Sequence, residues 1–265
     1  MSTSLAGSSR ALWAVSMNTA REAVRSKVFG SLVFFAVLLI LSSIVLGEMS
    51  LHNETRLATD GTLFFSTMFA MVIAVYSSIT LFYTEIERRT IYTILSKPIP
   101  RWLFLLGKYL GVQLLTLIVV VFMTGLSAGV IFYQTGSVPA QLFVAFASVY
   151  MQLAITTALA HMLATIASPL LAGFATVALF IGGNLFSQLA TIKKILEMQN
   201  NPLSHAISLV EYVLPNLEAL NLSRELTYQL AIPTSYIMNA ILYTVSYSGI
   251  VMLLAMAFFS RKDIS

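Results

Sequence analysis

EIERRTIYTILSKPIPRWLFLLGKYLG, residues 85–111, is a charged island between stretches that carry no charge. Upstream, residues 61–84 contain no Asp, Glu, Lys or Arg, and downstream none occurs over residues 109–192. No soluble core needs an uncharged run of that length, and only a bilayer rewards it. The island therefore reads as a docking surface hung from a membrane protein.

Composition agrees with that reading. The chain is 58% hydrophobic and 10% charged, with a mean hydropathy of +0.85, values that belong to polytopic membrane proteins. The absence of cysteine excludes disulfides, thiolate metal sites and cysteine nucleophiles. A pI near 9.3 could point to nucleic acid, but membrane topology explains the excess of positive charge better.

At about 20 residues per span, six transmembrane helices are expected, at 28–47, 62–83, 103–133, 140–167, 170–190 and 235–259. Residues 136–139 supply a turn after the third. Ser168-Pro169 separates the fourth from the fifth, because proline disfavours helix at the residue before it. Six spans place both termini on one side. That side receives 11 of the 15 Lys and Arg residues: Arg10, Arg21, Arg25, Lys27, Arg88, Arg89, Lys97, Arg101, Lys108, Arg261 and Lys262. The other receives Arg56, Lys193, Lys194 and Arg224 against seven acidic residues. The excess of basic residues assigns the first side to the cytoplasm. The first 27 residues are polar and the run after them is longer than a signal-peptide core, so it is expected to act as an uncleaved anchor.

Three segments outside the spans are amphipathic. In residues 10–27, Trp13, Met17, Ala20 and Val24 recur at helical spacing while Arg21 and Arg25 lie on another face. This predicts an interface helix with its tryptophan at headgroup depth and its arginines reaching anionic lipid. In residues 85–96, Glu85, Arg88, Arg89, Tyr92 and Ser96 share one polar face, and the two prolines after Lys97 stop the helix. Such an element can carry a push from a soluble partner to the spans on either side; the alternative is a solvated loop whose charges only set topology. Residues 191–234 are too apolar for a solvated connection and break at Pro202, Pro215 and Pro233 into short helices, tucked into the outer leaflet or capping a pathway.

The leader, the six spans, the E-x-E-R-R-T-I-Y-T-I-L-S-K-P-I-P-R element, a V-L-P-N-L-E-A-L-N-L element before the last span and a C-terminal F-S-R-K-D together resemble the ABC-2 family of ATP-binding-cassette transporter permeases. The chain is most similar to the branch of multicopper-enzyme-maturation permeases, which includes the nitrous-oxide-reductase maturation permease. The resemblance spans essentially the whole chain; Glu87-Arg88-Arg89-Thr90 and Leu95-Ser96-Lys97-Pro98 are its specific parts. It implies an all-α, single-domain half-transporter of the bacterial cytoplasmic membrane, paired with a second copy and resting on a separate ATPase. Residues 85–96 would be the coupling helix, with Glu85, Glu87, Arg88, Arg89, Tyr92, Ser96 and Lys97 meeting the ATPase. Residues 191–234 would be the extracellular helices. The sequence contains no G-x-x-x-x-G-K-[ST], so no cofactor is expected on this chain, and ATP with its magnesium belongs to the partner.

Cargo is less legible. His161 is the one strongly titratable side chain within 109–192. It is a candidate for a pathway or proton relay, or else a helix-to-helix hydrogen-bond partner. No second ligand stands three or four residues away, so no metal site is expected. Asn184 follows Gly182-Gly183, which loosen the helix and could let it face a pathway; close helix packing is the alternative. An uncharged interior favours a lipid-like, amphipathic or hydrophobic cargo, with export as the direction the resemblance implies. An ion-coupled secondary transporter using His161 and, less readily, a membrane-embedded enzyme are the other classes open to this sequence.

Overall fold

The computed structural model describes residues 5–48, 54–87, 100–199, 201–228 and 230–261, and every regular element among them is helical. Helix α1 covers Leu5–Arg25, α2 Lys27–Glu48, α3 Glu54–Glu87, α4 Arg101–Thr135 and α5 Gln141–Ile166. Five helices are long and apolar enough to cross a membrane, and a sixth span is possible if the bent pair that follows α5 is counted as one.

Each boundary has a local cause. Helix α4 stops at Gly136, whose φ of 71° is open to glycine and whose N–H caps the Phe132 carbonyl. After α5, Ala167 is extended and Pro169 opens α6, Pro169–Asn184, as the Ser168-Pro169 signal predicts. Helix α7 covers Phe186–Met198 and α8 Leu203–Val213, the latter directly after Pro202. A 3-10 turn at Glu218–Leu220 and a short α9, Ser223–Thr227, precede α10, Thr234–Arg261, which starts after Pro233.

The expected fifth span over 170–190 is bent. Helix α6 is 16 residues long, about 24 Å, short of the roughly 30 Å hydrocarbon core. The chain then turns by 72° at Leu185 into α7. Helix α3 has 34 residues, about 51 Å, and continues past the second span through Glu87, so Glu85 and Glu87 lie on α3. The remainder of the expected coupling element, with Arg88, Arg89, Tyr92, Ser96 and Lys97, lies outside the described residues, as does Lys262.

Helix α5 is the central one, packed against α3, α4, α6 and α10. Helix α2 sits at the periphery, with Phe34, Phe35 and Val45 left exposed for lipid, and is tied to α3 by Ser43 Oγ and Thr62 Oγ1, 2.8 Å apart. Tyr83 on α3 donates to the Ala164 carbonyl on α5 at 3.0 Å. Arg101 on α4 donates to the Ser260 carbonyl on α10 at 3.3 Å. These contacts gather the ends of α3, α5 and α10 and the start of α4 at one end of the bundle, termed the terminal end.

Helix α1 docks there by a stripe of small residues that shares only Ala20 with the expected apolar one. Trp13 is 61% exposed, whereas Ser16, Thr19, Ala20 and Ala23 are buried. The small stripe lies over Gly107 and Gly111 of α4, where a Cβ on Gly107 would come within 2.7 Å of Val15 Cγ1 and one on Gly111 within 2.6 Å of the Ser16 carbonyl oxygen. The spacing of these two glycines, which fits close helix contact in general, here seats the N-terminal helix. Met17 is half-buried, and Arg21 and Arg25 remain exposed. Gly111→Ala is expected to displace α1, cost about 1–3 kcal/mol and accelerate tryptic cleavage at Arg21 and Arg25. Gly125→Ala, with nothing within 4 Å of the added methyl, is expected to leave the digest unchanged.

Candidate functional site

The end opposite α1 is organised by residues 214–220. Leu217 N–H donates to the Gly183 carbonyl at 3.0 Å, beside the bend between α6 and α7. A Cβ on Gly183 would lie 2.6 Å from the Pro215 carbonyl oxygen, so only glycine lets the segment approach. The Glu218 carboxylate accepts from Ser187 N–H and Ser187 Oγ, each at 2.6 Å, satisfying an open donor in the first turn of α7 where negative charge is favoured. Asn216 N–H donates to Tyr243 Oη at 2.9 Å and Tyr236 Oη to the Ala219 carbonyl at 2.7 Å, both tyrosines on α10. Ser148 on α5 donates to the Leu220 carbonyl. One short segment thus fixes α5, the α6–α7 bend and α10 to one another.

Beside it lies a cavity of about 680 Å³ between α3, α5, α6 and α9. Its rim carries Asp60 at the start of the second span, Asn184 at the end of α6, and Arg224 and Thr227 of α9. Thr227 donates to the Asp60 carboxylate. Leu63, Phe64, Met68, Val149, Phe180 and Ile181 form the walls. Deeper on α5, Gln152 is 2% exposed, and its Oε1 has no hydrogen-bond partner among the described residues. The result is one polar end, apolar walls and a single amide within them, the usual make-up of a small-molecule site.

Gln152 belongs to a polar column. Ser148, Gln152 and Thr156 follow one another at i+4 on α5, as do Thr157, His161 and Thr165, and all six are buried. Gln113 on α4 donates to Thr157 Oγ1, which itself donates to the Leu153 carbonyl at 2.8 Å. His161 is fully buried, with Nδ1 2.8 Å from the Thr157 carbonyl oxygen. That oxygen can only accept, so Nδ1 carries the hydrogen. Nε2 has no partner among the described residues, and the ring meets Tyr109 edge-on at 5.9 Å. Among the described residues no group of three His, Cys, Asp or Glu converges.

Asn184 lines the cavity while its Nδ2 donates to the Phe180 carbonyl at 3.0 Å, and the adjoining Gly182-Gly183 pair serves close packing against Leu214, Pro215 and Leu217. His161 stands apart from the cavity, toward the terminal end. Lys108 counts in the sequence only as a topological charge, yet it is 1% exposed on α4, its Nζ 5.8 Å from the centre of the Phe104 ring. Asp60 and Arg224 likewise enter the sequence reading only through loop charge. They are far apart in sequence, and no spacing rule joins them.

A helical bundle with five or six candidate membrane spans and a cavity among them defines the class, a multi-pass membrane protein. The sequence model of a family described as ABC-2 family transporter protein matches residues 8–264, and the chain belongs to that family. No curated protein matches the sequence. Membership makes the chain the permease component of an ATP-binding-cassette transporter and implies an ATP-binding-cassette ATPase as its partner.

Two substitutions test this architecture. Gly183→Ala is expected to push residues 215–217 off α6 and lower stability by about 1–3 kcal/mol, read as the thermal midpoint in detergent. His161→Leu removes one hydrogen bond but also an unpaired buried acceptor, terms of about 0.5–1.5 and 1–3 kcal/mol. It is expected to stay within about 1–2 kcal/mol of the parent by the same measurement, whereas His161→Ala should cost more through the cavity it leaves.

Proposed function

We propose that the chain is the membrane half of an exporter of lipid-like, amphipathic or hydrophobic cargo, driven by a separate ATPase docked on residues 85–97. The observation that carries the cargo class is the cavity itself, with apolar walls and a polar rim inside the bundle. Two copies related by a two-fold axis would form the transporter, the simplest closed arrangement for identical subunits. The distribution of Lys and Arg puts the terminal end in the cytoplasm, in the inner membrane of a bacterium. The cavity then opens toward the outer face. The multicopper-enzyme-maturation branch is the proposed place of the chain within its family.

In this reading, ATP and magnesium act on the partner. ATP binding draws two ATPase subunits together, and the segment after α3 moves with them as a rigid body. Helix α3 continues through Glu87 and lines the cavity at its other end, so movement at the docking segment is transmitted along one continuous helix. Helix α4 starts directly after the segment and carries α1 with it.

Glu85, Arg88 and Arg89 supply the charges for the ATPase groove, where removing one member of a desolvated pair costs about 2–5 kcal/mol. Arg88→Glu combined with Arg89→Glu is expected to abolish co-purification of the ATPase from native membranes and the ATP hydrolysis that accompanies it. An undiminished complex yield and hydrolysis rate would sink the docking assignment.

A further inference from the structure

The cavity is chemically asymmetric in a way that specifies more than an amphipathic cargo. Its rim presents one carboxylate, Asp60, and one guanidinium, Arg224. The two do not neutralise each other. The Asp60 carboxylate accepts from Thr227, and among the described residues no hydrogen bond or ion pair occupies the Arg224 guanidinium. A rim of this kind leaves both a cation acceptor and a planar anion donor open at one end of an apolar slot.

Depth can be read along the helices. Asp60 to Met68 on α3 is about 12 Å at 1.5 Å per residue, and Ala145 to Gln152 on α5 is about 10 Å. All four residues line the cavity, so it runs about 10 Å along both helices. Gln152 Oε1, which has no hydrogen-bond partner among the described residues, is buried behind the cavity wall and does not open onto the cavity. The space between the rim and that wall is lined by Leu63, Phe64, Met68, Val149, Phe180 and Ile181, which suits a hydrocarbon chain. The volume, about 680 Å³, falls within the roughly 300–1,000 Å³ of sites for single small molecules.

We propose that this cavity is a binding site for a single-chain amphiphile with a zwitterionic head. Its anionic group pairs with Arg224, its ammonium with Asp60, and its chain lies along the apolar walls. The site is complete within one subunit. As a statement about cargo the inference rests on the permease reading above; as a statement about binding it stands on the cavity alone.

The test uses the full permease with its ATPase in detergent and four probes: a monoacyl glycerophosphoethanolamine, the matching monoacyl glycerophosphate, the matching monoacylglycerol, and free phosphoethanolamine without a chain. The zwitterionic amphiphile is expected to bind tightest and the chainless head not at all. Arg224→Gln is expected to weaken both phosphate-bearing amphiphiles by about tenfold or more and leave monoacylglycerol unchanged. Asp60→Asn should weaken the zwitterionic probe and spare the monoacyl glycerophosphate. Thr227→Val, which keeps both charges, separates loss of the rim's shape from loss of its charge, and is expected to preserve the ranking of heads.

Equal binding of the three chain-bearing probes, or affinities indifferent to Arg224→Gln and Asp60→Asn, overturns the proposal. Tight binding of free phosphoethanolamine overturns it too, since the apolar walls would then play no part. If the ATPase co-purifies but no amphiphile binds, the site inference falls and the permease reading survives. If amphiphile binds with the expected head preference and no ATPase is present, the inference holds and the permease reading falls.

Discussion

The hydrogen bond from Leu217 N–H to the Gly183 carbonyl is the contact on which the far half of the bundle depends. It exists because Gly183 has no side chain, so the Pro215 carbonyl can approach to a distance that any Cβ would forbid. With the segment seated, Glu218 reaches Ser187, two tyrosines of α10 find the backbone at Asn216 and Ala219, and Ser148 finds Leu220. Among these the Ser148–Leu220 bond is buried, and inside a membrane those two groups would otherwise have no water to satisfy them. The bend at Leu185 is therefore held by geometry on both sides, and α6 can be shorter than the bilayer is thick.

That same bend marks the limit of what hydropathy can reveal. The uncharged run over 109–192 announces helices in lipid, and the turn residues at Gly136 and Ser168-Pro169 give their ends, because glycine at positive φ and proline at N1 act through local backbone sterics. Composition averaged over 20 residues cannot distinguish a straight helix from two that meet at 72°. The two glycines before Asn184 are the only local sign of the bend, and what they accommodate comes from residues some thirty positions later.

Long-range placement hides the site for the same reason. Asn184 and Gln152 stand out in the sequence as polar residues in apolar spans, and both line the cavity. Asp60 and Arg224 look like ordinary loop charges until α3 and α9 bring them to one rim. Lys108 is disguised by its position near a span's end, where a solvated lysine is the common case; its burial follows from which face of α4 turns inward. The leader illustrates a subtler limit. Its Trp13, Met17, Ala20 and Val24 stripe is legible as an amphipathic face, but Ser16, Thr19 and Ala23, buried together with Ala20, carry too little hydrophobicity to register.

The two stripes of α1 have a consequence for biosynthesis. The surface that receives the small stripe, Gly107 and Gly111, is synthesised roughly eighty residues after α1 is finished. At about 5–20 residues per second, the helix waits several seconds without its seat. Through that interval the Trp13 stripe, with Arg21 and Arg25 beside it, would give the nascent chain an affinity for the membrane surface. One helix would then serve first as a temporary anchor during insertion and later, turned onto α4, as a permanent part of the bundle.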